Sequence, residues 1–240
     1  MENDRFDYKG RVFPKYKIIE KDGEEFVVFT DEWKEHTEEL RLRHFLSRSG
    51  VGEVPQYGLA TYVGEDKFNN IPKLIKYCDE FKEKFHKVNL YFWSEINSTQ
   101  KSTCAKDLIV RLAKQGIPCY FVLMDELLSQ LMRAERDEEA EARVRQWQYA
   151  PFLVLDECFT KGQVTIFSSG YQKAFLNTFL KSRLEQNKLA TCFTSNTPIE
   201  KIKDVWGDSL QSLVNRNIPT PMFFDDTISV SRFRNSDIWR

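Results

Sequence analysis

Apolar positions follow two patterns along the chain. From residue 88 onward, nearly continuous apolar runs recur: VNLYFW (88–93), IPCYFVLM (117–124), PFLVLDE (151–157) and LATCFTSN (189–196). Strands covered on both faces read this way, because neither face of the sheet meets water. Between the runs lie segments with apolar residues at helical spacing: 101–115, 125–148, 171–187, and 198–216 with a break at Gly207. Strands alternating with helices of this length predict parallel strands joined by crossover helices. TISVSRF (227–233) reads as a last strand.

The first part of the chain is patterned differently. Two β-prone runs flank Asp22-Gly23, the signal of a hairpin. A helix is expected from an N-cap at Thr30 or Asp31 to Gly50. Residues 51–72 are rich in turn formers and read as a connector. Ile71, Leu74, Ile75, Cys78, Phe81 and Phe85 then share one helical face. The charged run 133–145 is a solvated helix face. We therefore divide the chain into an N-terminal hairpin and helix, 1–54, and an α/β core, 55–240.

Composition narrows the partners. Charged residues make up 30% of the chain, yet the net charge is −1, so any contact with phosphates is made by local patches. Cys78, Cys104, Cys119, Cys158 and Cys192 show no C-x-x-C spacing and sit mostly in apolar runs. Buried free thiols in a reducing cytoplasm are expected, with neither a zinc site nor a disulfide framework. The N-terminus lacks the apolar core of a signal peptide, and no apolar run approaches the ~20 residues needed to span a membrane.

Candidate chemistry begins at EINSTQKST, 95–103. It lies between a strand and a helix, as does the phosphate loop G-x-x-x-x-G-K-[ST], whose backbone N–H groups wrap phosphates at a helix N-terminus. Aligned on Lys101-Ser102, the two glycines fall on Glu95 and Gln100. Gln100 serves only with its side chain turned away, and Asn97 is suited to left-handed geometry. The loop alone leaves two readings open: a nucleotide site, or a polar helix start with an incidental lysine. PFLVLDE shifts the balance. A buried strand releasing Asp156 and Glu157 supplies one carboxylate for a Mg²⁺ shell and one to polarise an attacking water. The next strand ends in Thr194, Ser195 and Asn196, and Asn196 is a candidate to hold that water or a γ-phosphate. Arg216, late on a helix, is a candidate arginine finger.

This order of motifs resembles the DnaC/DnaI helicase loaders and the related IstB transposition helpers, within the AAA+ ATPases, over residues 55–240. The resemblance implies a P-loop AAA+ fold with a parallel sheet flanked by helices, plus the small N-terminal hairpin and helix. It implies ATP and Mg²⁺ as cofactors. Asn97, Ser98, Thr99, Gln100, Lys101, Ser102 and Thr103 would form the nucleotide loop. Ser102 (Thr103 one position along) and Asp156 would serve the metal; Glu157, Asn196 and Arg216 would serve catalysis. Implied partners are a replicative ring helicase, met by residues 1–54, and single-stranded DNA, met by the core with Phe159, Lys161, Tyr171, Lys173 and Phe175. The chain would form a homo-oligomer when assembled. Glu95, Ser98 and Gln100 stand where the family usually has glycine, a departure shared with loaders of phages and mobile elements. An IstB-like transposition ATPase and a non-hydrolysing assembly factor are the alternatives.

Overall fold

Lys9-Gly10 and Asp22-Gly23 both adopt positive φ (52° and 74°, 56° and 82°), the turn that matches the twist of a two-residue hairpin. Each closes an antiparallel pair: β1 (Arg5–Tyr8) with β2 (Arg11–Pro14), and β3 (Tyr16–Lys21) with β4 (Glu24–Phe29). The second hairpin is the expected one. The first escapes sequence reading because lysine does not announce a left-handed turn. The structure is a computed structural model describing residues 4–63, 65–160 and 170–224. The expected strand at 227–233 and Lys161 lie outside the described residues.

Helix α1 (Asp31–Arg48) starts where Thr30 Oγ1 accepts the Trp33 amide. The first hairpin packs on it through Phe6, whose ring lies edge-on to Trp33 at 4.8 Å. At its other end Ser49 O accepts the Phe121 amide at 2.6 Å, so the helix terminus caps an edge of the main sheet. Gly50 makes this approach possible: its φ is +82°, and a Cβ there would lie 2.1 Å from Phe121 O. The connector is held by Asp107, which accepts the Leu59 amide at 2.9 Å.

The core begins with α2 (Asn70–Asp79), followed by a wider turn over Phe81–Phe85 where one continuous helix was expected. Glu80 leaves helical geometry there, at φ −104° and ψ 16°. Five parallel strands follow in sequence: β5 (Leu90–Trp93), β6 (Cys119–Leu123), β7 (Phe152–Asp156), β8 (Ala190–Ser195) and β9 (Met222–Phe223). Their spatial order is β6-β7-β8-β5-β9. Crossovers run through α3 (Lys101–Lys114), α4 (Met124–Arg133), α5 (Glu138–Tyr149), α6 (Tyr171–Lys181), the short α7 (Lys203–Trp206) and α8 (Asp208–Asn217). The single helix expected over 125–148 is two. Asp137 Oδ1 accepts the Glu139 and Ala140 amides, and so starts α5 as its N-cap.

Side chains alternate between two cores as the strand period dictates. Phe92, Phe152, Val154 and Cys192 face α2 and α3, while Tyr91, Leu153, Leu155 and Phe193 face the α4–α8 side. All five cysteines are buried thiols, as expected. No described helix is long and apolar enough to cross a membrane.

One buried cation ties the second core together. Arg183, with no exposed surface, donates from Nη1 to Trp147 O and Gln148 O, from Nη2 to Ala150 O and Ala190 O, and from Nε to Thr191 Oγ1. Three of those carbonyls end α5 or follow it, and such carbonyls lack partners within a helix. Burial pushes the guanidinium's pKa down to about 9, so it stays charged at neutral pH. Arg183→Met is expected to lower stability by at least about 3 kcal/mol, because several buried acceptors lose their donor at once. Arg183→Lys restores little, having fewer donors and no planar fork. Urea unfolding monitored by far-UV circular dichroism measures both.

Candidate nucleotide-binding site

In a parallel sheet the strands release their chains at one edge. Here Trp93 of β5 stands opposite Ser195 of β8, and Leu155 of β7 opposite Phe193. The segments leaving β5, β7 and β8 therefore converge. They enclose a cleft of about 290 Å³, one wall of which is the loop from Asn97 to Ser102. Glu157, Thr194, Ser195 and Asn196 form the other.

The loop wall has the backbone of a phosphate cradle without its glycines. Ser98 and Gln100 take φ values of 66° and 65°. Gln100 turns its side chain away, its Nε2 donating to Val63 O in the connector. It offers no side-chain cap to α3, whose first amides start the helix at the loop. Such amides, with the helix dipole behind them, suit an anion. Lys101 is buried and bends back over the loop, donating to Ile96 O at 3.2 Å and to Thr99 Oγ1 at 3.0 Å. Asn97 Oδ1 accepts Asn196 Nδ2 at 2.6 Å, which joins the two walls. Glu95, at the first missing glycine, pairs with Lys201 at 3.2 Å.

The opposite wall is organised by Thr194. Its hydroxyl donates to Asp156 Oδ1 and accepts the Glu157 amide at 3.1 Å, while its carbonyl accepts the Cys158 amide at 2.8 Å. Ser195 Oγ donates to Cys158 O at 2.5 Å. These bonds continue the β7–β8 pairing past the end of β7 and hold Glu157 and Phe159 at positive φ, 58° and 60°. Glu157 is exposed at the cleft, whereas Asp156 is buried behind Thr194. Cys158 beside them is no nucleophile. Burial first, and the Asp156 charge second, push its thiol up, and Sγ donates to Leu155 O.

The structure thus brings together Asn97, Ser98, Thr99, Gln100, Lys101, Ser102, Glu157 and Asn196. Thr103 lies in the first turn of α3 but does not line the cleft, and Ser102 does. Arg216 is elsewhere: it pairs with Glu185 at 2.7 Å and lines a depression with Lys87, Asn89 and Lys188, residues that precede β5 and β8. It sits at the edge of the sheet opposite the cleft. Sequence reading named Thr194 as a polar strand end but gave it no role; the signal was a hydroxyl ending an otherwise apolar strand beside an acidic pair.

The sheet order, the flanking helices and the position of the cleft are those of the P-loop AAA+ fold. That fold is shared with the DnaI and DnaC loaders and with the initiator DnaA. The chain has a TM-score of 0.56 with DnaI at 16% identity, covering 73% of this chain and 92% of that one. It has 0.57 with the DnaC helicase loader at 15% identity, covering 70% and 96%. With the replication initiator DnaA bound to AMPPCP and single-stranded DNA it has 0.58 at 12% identity, covering 71% of this chain and 50% of DnaA. At these identities the likeness is one of fold. No protein-family model and no curated protein matches the chain.

The left-handed residues make the loop testable by stability alone. A non-glycine residue in that region costs about 1–2 kcal/mol, which glycine avoids at some loss of chain entropy. Ser98→Gly and Gln100→Gly are expected to unfold within about 1 kcal/mol of the parent or above it. Ser98→Val and Gln100→Val are expected to fall clearly below, since β-branched residues resist positive φ. Equal urea midpoints for the glycine and valine variants would contradict this geometry.

Proposed function

We propose that this protein binds ATP in the cleft and loads a replicative ring helicase onto single-stranded DNA. The observation that carries the reading is the convergence of Lys101, Glu157 and Asn196, from three strand ends, on one cleft beside an uncapped helix start. The DnaI, DnaC and DnaA likenesses support a replication role.

Lys101 would leave its loop acceptors for the β/γ-phosphates, and the 98–102 amides would hold the phosphate chain. Glu157 would accept a proton from water as general base, and Asn196 would position that water. Ser102 and Asp156 would hold Mg²⁺, which supplies charge neutralisation when bound. Thr194 would keep Asp156 oriented through its hydroxyl. Arg216, being far from its own cleft, would act on the cleft of a neighbouring copy. Residues 1–54, with their hairpins, would meet the helicase, and the core would meet the DNA strand through Tyr171, Lys173 and Phe175. The strained loop also favours a second reading, a non-hydrolysing assembly factor, since restricted backbone approach weakens the phosphate cradle.

Lys101→Ala is expected to weaken binding of a fluorescent ATP analogue at least tenfold, about 1.4 kcal/mol. Equal affinity would sink the nucleotide site.

Glu157→Gln separates the two readings. It is expected to bind the analogue like the parent and to lose steady-state phosphate release with helicase and DNA present. If parent and variant both bind ATP and neither turns it over, the assembly-factor reading replaces the loader ATPase.

A further inference from the structure

The two halves of α1 differ electrically. In the first half three of the five acidic residues are engaged: Asp31 with Lys17 and Lys34, Glu35 with Lys9, and Glu39 with the Tyr8 hydroxyl. In the second half Arg41, Arg43, His44 and Arg48 are exposed, and none forms an ion pair among the described residues. A chain of net charge −1 thus concentrates unneutralised cations on one helix end.

Arg41, His44 and Arg48 stand at i, i+3 and i+7, so they share one helix face. That face looks onto the edge of β6 across a groove of about 370 Å³, where the half-buried ring of Tyr120 forms part of the opposite side. Arg41 also lines the next depression, with Phe29, Trp33 and Lys34. Glu38 lies there too, and Lys34 is already paired with Asp31, so the unpaired cations gather toward the Arg48 end. The result is a track of arginines with the Tyr120 ring beside its Arg48 end; the Trp33 ring at the other end is engaged by Lys15 and Phe6. From Trp33 to Arg48 it runs about 22 Å at the helical rise of 1.5 Å per residue.

We propose that this track binds a single-stranded nucleic acid, with Arg41 and Arg48 on its phosphates and Tyr120 stacking on a base. Phosphates fit a row of unpaired guanidinium groups, which offer forked donors and lose no internal partner on binding. Recessed rings suit unpaired bases, which expose their faces; a duplex keeps its base faces stacked inside. This site extends the loader reading, which takes the strand through Tyr171 and Lys173 of the core, and it is separate from those residues.

The test is fluorescence anisotropy of labelled oligothymidylate with the full chain across a salt series. Arg41→Ala/Arg48→Ala is expected to bind at least about tenfold more weakly. Its salt slope should be shallower by about 1.4, or about 0.7 for each lost phosphate contact. Tyr120→Leu is expected to weaken oligothymidylate about fivefold or more, and an abasic strand of the same length little. ATP-analogue affinity and urea midpoints close to the parent's would show that the variants are folded. Parental affinity and slope in the arginine variant, with loss in Tyr171→Ala/Lys173→Ala, would overturn the inference and leave the core path standing. The reverse pattern supports the track and removes the core path; loss in both variants also supports the track. Equal competition by polyglutamate would identify an acidic protein surface as the occupant, and equal affinity for duplex would remove the stacking role; either overturns the proposal. Failure of the parent to bind any oligonucleotide overturns both DNA sites and leaves the ATP cleft untouched. Oligouridylate against oligothymidylate distinguishes an RNA from a DNA strand.

Discussion

Thr194 carries more of the site than any acidic or basic residue in it. One hydroxyl donates to Asp156 and accepts the Glu157 amide, so the tip of β7 is fastened to β8 beyond the last ladder bond. Both carboxylates depend on that link: one is kept buried, the other is turned outward on a left-handed backbone. The parallel sheet supplies the rest, because β5, β7 and β8 must all end at the same edge. Without the threonine the sheet would still form, but the acidic pair would lose its fixed geometry.

Much of this was legible in the sequence, and the reasons differ by element. The doubly covered strands were clear because both faces are apolar, and Lys101-Ser102 was placed by the strand before it and the helix after it. The Asp22-Gly23 hairpin was readable because those residues favour the turn. Lys9-Gly10 was not, since lysine has no such preference and is left-handed only because the pairing of β1 with β2 requires it. The break between α4 and α5 was hidden by a charged run that suits a helix throughout. Asp137 decides it, and its capping role depends on which amides its side chain reaches. Gln100 was recognised as the obstacle in the loop, but its anchor on Val63 O joins residues far apart in the chain.

Strain is distributed unevenly. Four of the eight non-glycine residues with positive φ among the described residues, Ser98, Gln100, Glu157 and Phe159, flank the cleft. Such conformations persist only where the surroundings hold them. Here the holders are the two cores, packed on both faces of the sheet, and the Arg183 clasp that joins α5 to β8. The cost sits at the functional edge and the compensation sits in the interior.

The Ser49–Phe121 bond and the tight passage of Gly50 have a consequence for how copies of this chain can meet. An edge strand with free amides and carbonyls invites another strand, and such pairing propagates without limit. On the β6 side that invitation is withdrawn: the end of α1 occupies the backbone of Phe121, and Gly50 leaves no space for a competing strand beside it. Copies that approach from this side must recognise one another through side chains. Contacts of that kind are reversible one at a time, whereas a continuous backbone ladder is not.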